Sequence, residues 1–532
     1  MKELSLGRQD FSEIINEDLL YVDKTKRIYN LIKKGKLYFL SRPRRFGKSL
    51  LIATLKEIFE GNKELFKDLY IGESTEYAFE SYPVLQFNFA KLGHKVENLE
   101  AKLNRLILGY AEQFSIEIKS TSLSENFTKL VEGISQKGKP VVLLIDEYDK
   151  PIIDFLIELE KAKANRRILR NFFSPLKDLD AAGHLRFLFV TGVSKFSKVS
   201  LFSDLNNLID ISVEHPLSND LLGITQEELE IYFDEYIEKA ARIYKTSKAA
   251  LLQRIKSWYD GYSFDGKIRL YNPFSLLSFF LSFKFRNYWF ATGTPTFLVE
   301  TIRNESIAPK DIEDIEVHEH FFENFLLERL DIIGLLYQTG YLTIKNVVEE
   351  YDNSQYLLGY PNIEVKKSLE HNLVEAFTYQ TTSTVSNALV KMQRGLRTGN
   401  IDLFMQFLKI VLSDLKYNWQ PPRPHRTEEE LFRMWEGYFH AILYIITSYM
   451  SMSVKAEVQN NKGRVDLIAE VKEFIYLMEF KLDGTSENAI EQIKEREYAA
   501  TYKNSEKKVF LVGVNFSKED RNVERWEVEE WK

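Results

Sequence analysis

Five apolar residues, Val141-Val142-Leu143-Leu144-Ile145, run without interruption into two acids, Asp146 and Glu147. A strand that is apolar on both faces has to be covered on both sides, and a parallel sheet flanked by helices does this. Similar runs occur at Leu37–Ser41, Val84–Phe89, Phe187–Thr191 and Leu208–Val213. They alternate with helical segments such as Thr25–Lys34 and Lys48–Phe59. The block up to Pro216 is therefore expected to be an α/β sheet of three layers.

The segment YFLSRPRRFGKSLLIATL (38–55) reads as strand, loop and helix. Amides at a helix N-terminus lack partners and lie at the positive end of the helix dipole, so they hold phosphate. The loop Arg42-Pro43-Arg44-Arg45-Phe46-Gly47-Lys48-Ser49-Leu50 is thus the candidate phosphate cradle. Lys48 is placed to reach the β- and γ-phosphates of ATP and Ser49 to hold Mg²⁺. Gly47 lets the backbone approach the anion. Arg42 stands where the usual pattern has its first glycine, and Pro43 pushes it towards extended geometry. Arg44 and Arg45 either touch phosphate or face solvent. Asp146 is the candidate to hold Mg²⁺ through water, and Glu147 to polarise the attacking water. Thr191, ending the run RFLFVTG (186–192), is a candidate sensor of the γ-phosphate. Lys195 is either a cationic finger or a surface lysine.

The remainder divides by pattern. Residues 217–300 are helical, opened by Thr225 and Glu228 at capping-box spacing. The aromatic turn Trp258–Tyr262 reads first as packing and second as a loop near the nucleotide. A winged-helix order is expected in 301–370: a helix at Leu330–Thr339, then strands at Tyr341–Ile344 and Tyr356–Leu358. A helical linker follows over 371–425, ending in the break QPPRPH (420–425). The last block, 426–532, has a long helix, three strand-like runs (Val454–Val458, Val465–Ala469, Phe474–Phe480), a helix (Glu487–Tyr502) and a strand (Lys508–Val514).

The three runs carry acids at suggestive spacing. With hairpin turns centred near Asn461–Lys462 and Lys472–Glu473, Asp466 lies opposite both Glu457 and Glu479. Opposed residues share a face with Cβ atoms about 5 Å apart. Lys481, two residues beyond Glu479, is on the same face. Like charges gather so closely when a cation binds between them, and oxygen ligands select Mg²⁺. Such a site activates water and polarises a phosphoryl oxygen. The alternative is a solvated face of alternating charge. Arg464 and Lys494 offer a phosphate backbone a resting place.

Composition narrows the classes. The 532 residues are 44% hydrophobic and 28% charged, ordinary for a globular chain. With no cysteine, disulfides and thiol chemistry are excluded. The eight histidines show no metal-ligand spacing. The start carries no signal-peptide pattern, and the apolar stretch LLSFFLSF (276–283) is too short to span a bilayer. A soluble cytoplasmic protein is expected. The net charge of -7 argues against a generally basic coat but leaves room for a local basic groove.

The segments YVDKT (21–25), SRPRRFGKSL (41–50), LIDEYDKPI (144–152), TGVSKFS (191–197), LNNLIDIS (205–212), WYDGY (258–262), YNPFS (271–275) and GRVDLIAE…EFKLD…QI (463–493) together resemble the bacterial AAA-ATPase-like proteins that end in a PD-(D/E)XK-type nuclease domain. The resemblance covers nearly the whole chain. It implies a P-loop (ASCE/AAA-like) ATPase core, a helical and winged-helix-like middle, and a restriction-endonuclease-like end. It also implies that an arginine at the first P-loop glycine is normal for the family. Asp466 then corresponds to the motif aspartate, Glu479 and Lys481 to the E-x-K pair, Glu436 to an added acid on the first helix, and Gln492 to a glutamine on the following helix. A tyrosine is often found four residues after that glutamine; Arg496 stands there, and Tyr498 is the nearest tyrosine. The expected function is ATP binding and hydrolysis coupled to Mg²⁺-dependent cleavage of nucleic acid, DNA before RNA, in genome defence or mobile-element biology, with oligomerisation open. The alternatives are a nucleotide-switched binding protein with a silent nuclease fold, and a signalling or assembly ATPase.

Overall fold

A computed structural model of the chain describes residues 1–531 apart from 94–96, 121, 196–200, 203–204, 290–297, 299–301, 303–311, 323–330, 351–352, 379–381, 414–427, 451–452 and 461–462. The break at 420–425 lies outside the described residues. The chain divides into two compact units: Met1–Thr292 with Ile315–Val365, and Gly293–Asp314 with Lys366–Lys532. Among the described residues no helix is long and apolar enough to cross a membrane.

The first unit is built on five parallel strands: β1 (Leu37–Ser41), β2 (Val84–Asn88), β3 (Val141–Asp146), β4 (Leu185–Gly192) and β5 (Ile209–Asp210). Their order is β2-β3-β4-β1-β5. The strand leading to the phosphate loop is thus separated from the acid-bearing strand by β4, as in P-loop ATPase cores of the ASCE kind. Every residue of β3 is buried, as its unbroken apolar run requires. The run at 208–213 yields only a two-residue strand at the edge.

Four helices follow: Gln226–Tyr232, Asp234–Tyr244, Lys248–Tyr259 and Pro273–Ser282. They share a core containing Phe233, Ile237, Tyr259, Leu276 and Phe279. Both bonds of the capping box form: Thr225 accepts from the Glu228 amide, and Glu228 accepts from the Thr225 amide. The helix Ile332–Thr339 and the hairpin β7 (Thr343–Glu350) and β8 (Asn353–Gly359) complete this unit, with β6 (Ile315–His318) pairing antiparallel to β8.

The second unit is organised by a five-stranded sheet whose strands lie in the order Asn522–Trp531, Lys508–Ser517, Phe474–Leu482, Gly463–Glu470, Ser453–Asn460. Strands β9 (Ser453–Asn460), β10 (Gly463–Glu470) and β11 (Phe474–Leu482) form an antiparallel meander. The helix Ser486–Glu495 then crosses over to β12 (Lys508–Ser517), parallel to β11. The expected helix over 487–502 stops at Glu495, and a 3₁₀ turn occupies Tyr498–Tyr502. A further strand, β13 (Asn522–Trp531), pairs antiparallel at the edge. Val523 is its one buried residue, so the strand carries little of the apolar pattern that marks the others.

The segment expected as a linker also packs on this sheet. Tyr476 Oη donates to Leu396 O at 2.6 Å, and Trp526 Nε1 to Asp402 Oδ1 at 2.8 Å.

Candidate nucleotide and carboxylate sites

β1 ends at Ser41 and the chain turns through Arg42–Gly47 into the helix Lys48–Glu60. Gly47, at φ 95°, makes the turn with a conformation that side chains disfavour. Lys48 is buried, and its Nζ donates to the carbonyls of Arg42 and Pro43, both at 2.9 Å. Burial pulls its pKa down, while Glu147, Asp146 and Asp149 oppose that pull. The lysine is held by the loop's own carbonyls.

Asp146 terminates β3, fully buried. Its Oδ2 accepts from Ser49 Oγ at 2.7 Å and from Asn88 Nδ2 at 3.2 Å. Burial raises its pKa against the Ser49 hydrogen bond. Its Oδ1 is buried with no hydrogen-bond partner. A hydroxyl and a carboxylate in contact, with one carboxylate oxygen unspent, suit a hard divalent cation. Glu147 adopts φ 52°, a left-handed conformation uncommon outside glycine and concentrated at functional sites. Thr191 sits near the end of β4, paired in register with Leu40 of β1, and its buried Oγ1 has no hydrogen-bond partner.

Arg42 was expected among the residues contacting nucleotide. Its guanidinium instead donates to Ser41 O (2.9 Å), Ser212 O (2.6 Å) and Ser218 O (3.0 Å) and lies 3.7 Å over the Phe264 ring. Any contact of Arg42 with a nucleotide therefore falls to its backbone. Pro43 and Phe46 are buried as well, Phe46 packing edge-on against Tyr262 and Phe264. The aromatic turn thus acts as packing under the loop. Arg44 and Arg45 are exposed, Arg45 lying 3.8 Å over Phe274, and Leu50 is half-buried. Lys195 is not the surface lysine of the second alternative: it forms an ion pair with Asp210 at 2.9 Å with little exposure.

Asp149 went unnoticed in the sequence. Its buried carboxylate accepts from the amides of Val193 (3.0 Å) and Ser194 (2.6 Å) and from Ser194 Oγ (2.8 Å), while Tyr148 Oη donates to Ser194 O. These bonds tie the exit of the acid strand to the exit of β4. Only the closeness of β3 and β4 gives the second aspartate of DEYD this use.

In the second unit the hairpin registers are those the turn positions imply. Leu467 pairs with Met478 and Ile468 with Leu477, which sets Asp466 across from Glu479. Val465 pairs with Val458 and Leu467 with Ala456, which sets position 457 across from Asp466. The side chain of Glu457 lies outside the described residues. Asp466 Oδ2 accepts from the Phe480 amide at 2.8 Å. Glu479 is buried, and its pKa is pushed up to about 7, first by burial and then by Asp466, with Lys481 opposing. Lys481 Nζ stands 3.6 Å from Glu479 Oε1. Gln492 bridges the pair: its amide nitrogen donates to Glu479 and its oxygen accepts from Lys481. Glu479 Oε2 is buried without a hydrogen-bond partner.

His440 is the addition here. Its Nε2 lies 3.7 Å from Asp466 Oδ2, and its ring packs edge-on against Phe480. The available signal was its position on the helix Glu428–Tyr449, one turn after Glu436, which is half-buried. Tyr498 is buried and its hydroxyl receives Arg496 Nη1 at 3.3 Å. Arg464 is exposed, and Lys494 pairs with Glu529. Among the described residues no group of three or more histidine, aspartate or glutamate side chains is gathered closely enough to hold a metal. Of the three expected carboxylates, the described ones are Asp466 and Glu479. With Glu479 Oε2 unspent, this oxygen pair suits a hard cation that draws further ligands from water and phosphate.

Residues 5–202 match the family described as Predicted AAA-ATPase, and residues 434–526 match the PD-(D/E)XK nuclease superfamily. The chain is 35% identical over 540 residues to the "Uncharacterized protein in vnfD 5'region" of Azotobacter chroococcum mcd 1, covering 99% of each chain. It therefore belongs to the family of AAA-ATPase-like proteins that carry a C-terminal PD-(D/E)XK nuclease superfamily domain. The solved structure of the Aeropyrum pernix ORC1 protein in complex with DNA is similar at a TM-score of 0.26 and 10% identity, covering 69% of this chain and 97% of that one.

Proposed function

We propose that this chain binds and hydrolyses ATP at the Arg42–Ser49 loop and cleaves phosphodiester bonds of nucleic acid, DNA before RNA, at Asp466, Glu479 and Lys481. The observation that carries the first half is the Ser49–Asp146 bond at the mouth of an ASCE-ordered sheet, with Asp146 Oδ1 unspent. Ser49 and Asp146 would hold Mg²⁺, directly and through water. The loop amides and Lys48 bind the phosphates, and Glu147 accepts a proton from the attacking water.

The second half is supported by the convergence of Asp466, Glu479 and Lys481 on one face. Asp466 and Glu479 would hold Mg²⁺, which supplies charge neutralisation at the scissile phosphate. Lys481 orients the nucleophilic water, and Gln492 sets the spacing of lysine and glutamate. The second reading is a nucleotide-switched nucleic-acid binder with a silent nuclease fold.

One experiment separates the two. Purified protein with Mg²⁺ is assayed for plasmid nicking and ATP turnover, alongside Asp466→Ala and Glu147→Gln. Nicking lost only in the first and turnover only in the second supports the proposal. No nicking by the wild type, with DNA binding intact, supports the switch. Nicking that survives Asp466→Ala rules out this nuclease site.

A further inference from the structure

The phosphate loop and the exit of β4 share a neighbour that none of the sequence motifs contains: the last turn of the helix Ile332–Thr339. Gln338, buried in that turn, accepts from the Lys195 amide at 3.0 Å through its Oε1. Two residues on, Gly340 caps the helix at φ 91°. It sits so close to the loop that a Cβ there would lie 2.6 Å from Pro43 Cβ. Trp289 Nε1 donates to Arg44 O at 3.4 Å, and its ring stands edge-on to Tyr341. The turn 338–341 therefore touches the loop at Pro43, reaches Arg44 through Trp289, and holds the β4 exit at Lys195.

The circuit closes on the acid strand. Asp149 and Tyr148 grip Val193 and Ser194, the residues immediately before Lys195. There is little slack, since a Cβ on Gly192 would lie 2.6 Å from Asp149 Oδ1. The loop's side of the circuit is governed by Lys48, whose ammonium is bonded to the carbonyls of Arg42 and Pro43. A phosphate that draws Lys48 away releases the residue on which Gly340 rests.

We propose that Gln338 is a positioning residue for ATP hydrolysis. It fixes the β4 exit, and through Asp149 the neighbouring Glu147, against the phosphate loop, so that arrival of the anion sets the water-handling acid. The proposal rests on the reading of the Arg42–Ser49 loop as an ATP site. Gln338 is bonded to the β4 exit rather than to the loop or to Lys48, so its loss acts on turnover and not on affinity. Close packing transmits such shifts because interiors have few voids to absorb them.

The test uses the full chain. Affinity for Mg-ATP is measured by calorimetry and kcat by phosphate release, for wild type, Gln338→Leu and Gln338→Glu. The leucine removes the acceptor. The glutamate keeps it, and Arg42 and Lys195 line the same cavity. The expected result is a Kd within about twofold in all three chains, kcat lowered roughly tenfold or more in Gln338→Leu, and recovery in Gln338→Glu. Emission from Trp289, taken as the difference from Trp289→Phe, should change when the wild type binds Mg-ATP. It should change less in Gln338→Leu and fully again in Gln338→Glu. Unchanged kcat in Gln338→Leu overturns the proposal, and so does equal loss in both variants. The wild-type emission measurement stands even if the leucine variant fails to fold, and a bound nucleotide without an emission change also overturns the proposal. A wild type that binds no Mg-ATP in the calorimeter is a different failure, because it removes the ATP site itself.

Discussion

Lys48 and Glu147 illustrate how one side chain divides its roles. The lysine is buried, so its charge is tolerated only because two carbonyls and three nearby acids face it. Lys48→Ala is expected to abolish measurable Mg-ATP binding in calorimetry while leaving the far-ultraviolet circular dichroism unchanged. Equal affinity in the two chains would remove the nucleotide assignment. Glu147 is different, since it holds a left-handed conformation at the mouth of the sheet. Glu147→Gln should retain Mg-ATP but slow turnover roughly a hundredfold or more, because an amide does not accept the proton of the attacking water. Loss of binding in that variant would make Glu147 structural. Of the residues around these two, Ser49 and Asp146 were readable from motif order. Asp149 and Gln338 were not, because their partners lie on β4 and its exit, reached only after folding.

At the scale of the element, local chemistry explains most boundaries. The helix Gln226–Tyr232 starts where Thr225 and Glu228 satisfy each other's amides, and Glu228 also receives Lys24 at 2.7 Å. Thr225→Ala should destabilise the first unit by about 1 kcal/mol, the usual worth of an N-cap, seen as a lower denaturation midpoint. No shift would mean that packing alone holds the helix. The meander β9–β11 shows the same local control, because two short turns set both registers and a slip of one residue would turn Asp466 and Glu479 to opposite faces. The crossover helix behaves otherwise. It ends at Glu495, and only the parallel pairing of β11 with β12 brings Gln492 over Glu479 and Lys481.

On the scale of the whole molecule, each compact unit buries a carboxyl that titrates far from its ordinary range. Glu364, in the first, accepts from the amides of Tyr288 (2.6 Å) and Trp289 (2.9 Å), and burial pushes its pKa up to about 7. Glu370, in the second, is likewise raised to about 7 by burial, against Lys366 and the Ser448 hydroxyl. With the folded value above the unfolded one, the folded state keeps a proton that the unfolded chain gives up between about pH 4.5 and 7. Stability therefore falls as pH rises through that window, by about 3 kcal/mol for such a shift. Glu364→Gln should raise the unfolding midpoint at pH 8 and leave it nearly unchanged at pH 5. An equal effect at both pH values would show that the carboxyl is not titrating there.

The parallel sheet, the strand–loop–helix at 37–60, the acid-bearing strand and both hairpin registers are written in the residues alone. In each case the information is local: apolar runs without a polar face, a glycine before a helix, and turns whose centres fix which residues oppose one another. Packing between distant segments settles that the Arg42 guanidinium braces the loop entry, that Lys195 is bound to Asp210, that His440 stands beside Asp466, and that the edge strand Asn522–Trp531 exists. Each of the three side-chain contacts joins residues at least 15 positions apart, and the direction a charged side chain takes depends on which backbone carbonyls and carboxylates packing brings within reach of it. The edge strand is decided the same way: alternating charge along a chain becomes a strand only when a neighbour offers its unpaired amides and carbonyls.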